Sequence, residues 1–198
     1  MASEIQVQTI SGPPTGANAN KILLGSGQQI VAEAGGLVAP GQVIQVVSAT
    51  KTDTQTTSAQ AWIDITGLSV SITPKSSNNK ILVFVHATGS GDNRYNAIRV
   101  VRNGTPVGIG DTAGSRTPVL SGFGQNPDAT NSVYVLFSTS GSFVDTPSST
   151  STLTYKVQFG ATNSAAVANI NKIAYTPGDD ANWSLRGISS ITVQEIAA

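Results

Sequence analysis

The sequence has no cysteine. Disulfide stapling, thiolate nucleophiles and cysteine-ligated metals are therefore excluded. Charge is also scarce. Asp, Glu, Lys and Arg make up 11% of the 198 residues, and the net charge is zero; a typical globular chain carries roughly 25%. With no basic stripe, an electrostatic nucleic-acid binder is not expected. With no polybasic segment, neither is a membrane-surface anchor. No apolar run approaches the ~18 residues that a spanning helix needs, so no membrane insertion is expected. The opening MASEIQVQTI lacks a basic region followed by an apolar core, which predicts no secretory signal.

Ser, Thr, Asn, Gln and Gly supply the polarity instead. Such a surface suits close contact between subunits, because burying a hydroxyl costs less than burying an ammonium or carboxylate.

Residues 1–40 differ from the rest. "SGPPTGANAN" at 11–20 is turn chemistry, and Gly35-Gly36 and Pro40-Gly41 punctuate the end of the segment. Its apolar clusters are isolated: Ile5 and Val7, then Ile22, Leu23 and Leu24, then Ile30 and Val31. These clusters predict an extended N-terminal docking arm that orders against another protein.

Residues 41–198 read as one β domain. Strands are expected at 42–49, 61–65, 68–73, 80–87, 95–102, 105–110, 132–138, 152–159, 169–175 and 188–196. These runs are rich in β-branched and aromatic residues and are bounded by Gly, Pro, Asn, Asp and Ser. Asn103-Gly104 between two apolar runs signals a tight hairpin. Long loops are expected at 111–131 and 139–151. "NKI" occurs at Asn20, Asn79 and Asn171 with unequal spacing, which predicts a reused strand entry rather than a repeat array. Strands at this number and spacing predict an antiparallel sandwich, best matched by a double-sheet jelly roll.

One strand poses a problem. In "NKILVFVHA", Ile81, Val83 and Val85 share a face, but Leu82, Phe84 and His86 make the opposite face largely apolar too. A sandwich covers one face of each sheet, so the second must meet the arm or another copy of the chain.

Catalytic patterns are missing. His86 is the single histidine; there is no HExxH, no GxSxG and no phosphate-cradling GxxxxGK[ST]. Asp179-Asp180 with Asn182 is compatible with Ca²⁺, but the EF-hand spacing is absent and an Asx-rich turn is the simpler reading. No enzyme, cofactor or metal is expected. Phe123 and Trp183 stand in loop-like contexts where an aromatic ring can stack on sugars, with core packing the simpler reading of either one.

Two stretches carry a family resemblance. "PGQVIQVVSATKTDTQTTSAQAWIDITGLSVSITPKSSNNKILVFV" at 40–85, with "RVVRNGTPVGIGD" and "ISSITVQEI", resembles virion structural proteins of tailed bacteriophages, especially marine and cyanobacterial ones. "SGPPTGANANKILLGSGQQIVAEAGG" is similar to the short segments preceding such domains in tail-fibre proteins. The resemblance implies a jelly-roll or TNF-like β-sandwich that forms a homotrimer. It also implies a place in the virion, assembled in the host cytoplasm, as a tail fibre, a fibre tip or a capsid decoration. The self-interface would then involve Leu82, Phe84 and His86, and the arm would dock onto another virion protein. A glycan-binding adhesin, holding host-surface glycan, is the alternative.

Overall fold

The computed structural model describes residues 14–16, 25–27, 29, 38–58, 61–91, 96–123, 135–161, 167–174, 182 and 184–198. The chain divides into two units, Met1–Leu37 and Val38–Ala198. Of the described residues of the first, 14–16 form a bend and 26–27 a turn, with Gly16 and Gly27 at positive φ. The arm residues Ile5, Val7, Ile22, Leu23 and Leu24 lie outside the described residues, as does Trp183.

The second unit is all-β. Its strands are β1 (Val43–Lys51), β2 (Gln55–Thr57), β3 (Ile63–Ile72), β4 (Lys80–Gly91), β5 (Asn96–Arg102), β6 (Thr105–Val107), β7 (Ser121–Phe123), β8 (Phe137–Asp145), β9 (Leu153–Ala161), β10 (Ala168–Ile170) and β11 (Ser189–Ile196).

Four antiparallel pairs nest inside one another: β1 with β11, β3 with β9, β4 with β8, and β5 with β7. The outermost strands of the sequence pair first and the innermost last, as in one long hairpin. The pairs alternate between two sheets, giving β1-β11-β4-β8 in the first and β3-β9-β5-β7 in the second. That is the jelly roll expected from the sequence. Short β10 and β2 extend the first sheet beyond the end of β11, and β6 extends the second.

Alternation explains the core. Ile81, Val83 and Val85 of β4 and Ile191 and Val193 of β11 point inward, against Leu68, Val70 and Ile72 of β3, Ile98 and Val100 of β5, and Tyr155, Val157 and Phe159 of β9. The Asn103-Gly104 hairpin forms as expected, with φ of 50° and 89°; a two-residue turn that matches strand twist needs positive φ at both positions.

Several expectations are corrected. The strands expected at 61–65 and 68–73 are one strand, β3. Gly67 at φ 89° and a register shift between Asp64 and Ser69 mark a bulge within it, not a turn. The strand at 105–110 stops at Val107, and the one at 169–175 is Ala168–Ile170. The largest correction is β8: most of the expected loop 139–151 is strand, while 132–134 of the expected strand lie outside the described residues. Short β2 and β7 were not expected.

The "NKI" motif is also corrected. Asn79 leads into β4, but Asn171 follows β10. Asn171 is fully buried at φ 61°, a conformation asparagine tolerates better than most residues. Its Oδ1 accepts from Thr88 Oγ1 at 2.9 Å and Ser189 Oγ at 2.7 Å, and its Nδ2 donates to the carbonyls of Lys51 and Asp53. One side chain thus ties β4, β11 and the end of β1. Asn171→Ala orphans these groups and leaves alanine in a left-handed backbone, so we expect a loss of about 3–5 kcal/mol in denaturant unfolding.

Candidate functional site: the outer face of the first sheet

Three outward rows cross all four strands of the first sheet: Val46–Gln194–Leu82–Val144, Ser48–Thr192–Phe84–Ser142 and Thr50–Ser190–His86–Ser140. None of these twelve residues is Asp, Glu, Lys or Arg. Beyond them, the exposed Lys80 stands on the same side of β4, opposite Ile196. Phe84 is 41% exposed, Val46 54% and Val144 58%; Leu82 and His86 are half-buried.

Phe84 stands clear because its cross-strand neighbours are short. Ser142 and Thr192 flank it and leave a shallow depression shared with His86, Ser140 and Ser190. His86 Nδ1 lies 3.1 Å from Ser140 Oγ on the neighbouring β8. Leu82, Phe84 and His86 are therefore brought together on one face, as the alternation requires. Val46 and Val144 complete the patch and were missed. Val144 lies in "FSTSGSFVD", where Phe137 and Phe143, six apart, share the inner side; Ser, Thr and Gly between them hid the strand signal.

Polar clamps hold this face rigid from beneath. Asp145 at the end of β8 receives Arg102 Nη1 on both oxygens and Tyr155 O–H at 2.7 Å, tying β8 to the second sheet. Gly108, at φ 61°, lets the chain pass the Phe143 ring; a Cβ there would lie 2.3 Å from it. At the other end, the fully buried Glu195 accepts from Asn79 Nδ2 at 2.6 Å, the Lys75 N–H at 2.7 Å and Gln45 Nε2. Asn79 Oδ1 in turn accepts from the Ala198 N–H. Burial alone would raise the Glu195 pKa; hydrogen bonds from Asn79, Gln45 and the Lys75 and Ser76 backbone outweigh it and hold the carboxyl below its ordinary range.

Phe123 is corrected. It sits in β7, 5% exposed, with its ring over Gly89, where a Cβ would lie 2.9 Å away. It is a core residue and offers no face to a sugar. Asp179 and Asp180 lie outside the described residues, and among those described no three His, Cys, Asp or Glu converge.

No protein-family model matches the sequence, and no curated protein matches it. Among solved structures, the chain is similar to the infectious bursal disease virus VP2 subviral particle, at 14% identity and a TM-score of 0.38 over 92% of this chain and 43% of that one. It is also similar to the infectious bursal disease virus Gt strain structure, at 12% identity and a TM-score of 0.33 over 92% of this chain and 44% of that one. The chain spans less than half the length of either. At such scores the likeness carries no weight, and the jelly roll stands on the strand pairing alone.

Proposed function

We propose that this protein is a virion structural component that associates with copies of itself through the outer face of the first sheet. The carrying observation is that Val46, Leu82, Phe84 and Val144 stand on one outer face whose three full rows carry no charge. A second copy is the fitting occupant. It brings an equally charge-poor surface, so contact strips water from hydroxyls and apolar groups without stranding ions.

Size bears on stoichiometry. Four strands about 4.8 Å apart, with outward rows about 6.8 Å apart, give on the order of 400 Å² of flat surface. A standard interface takes about 800 Å² from each partner. One face pressed on its copy falls short, whereas a closed ring gives every copy two neighbours and adds flanking surface. A homotrimer is the smallest such ring and agrees with the tailed-phage resemblance. In this reading residues 1–40 dock the ring onto another virion protein, as a tail fibre, fibre tip or capsid decoration.

Light scattering on the purified chain tests the assembly. The expected mass is three times the 20.2 kDa protomer at about 10 µM. A protomer mass at that concentration overturns the self-association. Electron microscopy of particles with the chain labelled tests its place: density on the tail or head supports the virion reading, and particles bare of label overturn it.

A further inference from the structure

The outer face of the second sheet has the opposite chemistry. Its register places Asp64, Gln158 and Arg99 in one row and Ser69, Lys156 and Val101 in the next. Trp62 precedes β3 and crosses Gly160 of β9. A Cβ on Gly160 would lie 2.9 Å from the Ala61 carbonyl oxygen and 3.4 Å from the indole, so glycine lets this segment lie against the sheet.

The side chains form one ordered chain of contacts. The Arg99 guanidinium sits 4.4 Å from the Trp62 ring centroid. Arg99 Nε donates to Gln158 Oε1 at 2.8 Å, and Gln158 Nε2 donates to Asp64 Oδ1 at 2.7 Å. Lys156 Nζ reaches Asp64 Oδ2 at 2.9 Å. Asp64 and Lys156 side chains are each 45% exposed, so each keeps hydrogen-bonding capacity toward solvent. Beside them opens a groove of about 410 Å³, lined by Asp64, Val101, Asn103, Thr154, Lys156 and Gln158. That volume falls within the usual range of a small-molecule site.

We propose that this groove is a saccharide-binding site, in which sugar hydroxyls bond to Asp64, Lys156 and Gln158. A saccharide presents donors and acceptors at short spacing, and this cluster offers their complements across two neighbouring rows: carboxylate and amide in one, ammonium in the next. The Asp64–Gln158–Arg99 chain fixes the side chains beforehand, which lowers the ordering cost of binding. A phosphate or nucleic acid fits poorly. Asp64 cancels the Lys156 charge and repels an anion. The site is independent of the assembly reading, because it lies on the other sheet.

The test is a panel of immobilised neutral oligosaccharides of differing sugar composition, with single-stranded DNA as control, followed by calorimetry on whichever is retained. We expect at least one oligosaccharide to bind with a dissociation constant of roughly 10 µM to 1 mM. Asp64→Asn and Lys156→Ala each weaken it at least tenfold, and Ser142→Ala on the opposite sheet leaves it unchanged. Amide-shift mapping on the unmutated protein places the ligand at β3, β5 and β9 even if a variant folds poorly. The proposal is overturned by no saccharide binding at about 10 mM, by undiminished binding in folded variants, by shifts mapping elsewhere, or by retention of DNA alone.

Discussion

Phe84→Asp is expected to yield a folded protomer that no longer associates. The ring is 41% exposed in the single chain and lies between Ser142 and Thr192, so the fold gains little from it. Aspartate in a strand costs up to about 1 kcal/mol in propensity. At the proposed contact the change is far larger. Each interface loses a buried aromatic and acquires a carboxylate with no cation in its own row or in the two beside it. Hot-spot truncations cost 2 kcal/mol or more, and an unpaired buried charge adds to that. A loss of about 3–5 kcal/mol per contact weakens association on the order of 10²–10³-fold. Sedimentation velocity across protein concentration reads it directly. Phe84→Asp running at the same mass as the parent, with the same circular dichroism, removes Phe84 from the interface. Phe84→Leu serves as the conservative counterpart and is expected to retain most of the association.

Glu195→Gln is expected to produce a large loss of stability that still leaves the shape of the site intact. The carboxylate accepts hydrogen bonds in a fully buried position from the Asn79 and Gln45 side chains and from the Lys75 and Ser76 backbone, and all are neutral donors. An amide presents one oxygen where two are needed and turns its own N–H toward a donor. Each orphaned buried donor costs about 1–3 kcal/mol. A net loss of about 3 kcal/mol at pH 7 corresponds to a melting temperature lower by roughly 6–12 °C.

The pH dependence carries a sign. The folded carboxyl titrates below its ordinary value of 4.5, so its contribution is complete above that pH and is lost as pH falls through the folded value. The gap between parent and Glu195→Gln should therefore be full at pH 7 and narrow below about pH 4. A gap that stays constant from pH 7 to pH 3, followed by denaturant unfolding, contradicts a carboxylate held by this cage.

The strand segments with plain alternation were legible from sequence. "TLTYKVQFG" became β9 and "ISSITVQEI" became β11, because one side of each meets the core and the other meets small polar surface. The doubly apolar "ILVFV" was legible as a strand with an unsatisfied face, since period-two geometry fixes which residues share a side. Asn103-Gly104 was legible because few residues accept positive φ.

Other features arise only from long-range pairing. β8 hid in a Ser- and Gly-rich run because its strand conformation is imposed by hydrogen bonds to β4, more than fifty residues earlier. Phe123 read as a loop aromatic until β7 paired with β5 and carried the ring into the core. The Glu195, Asn171 and Asp64 networks join groups that lie 18 to 150 residues apart along the chain. The sequence by itself determined the β character, the lack of thiol and charge chemistry, and the surplus apolar face on β4, since composition and local periodicity are properties of neighbouring residues. Only the tertiary structure decided that Val46 and Val144 join that face and that Trp62, Asp64, Arg99 and Gln158 meet on the other, because cross-strand register depends on contacts that no local pattern specifies.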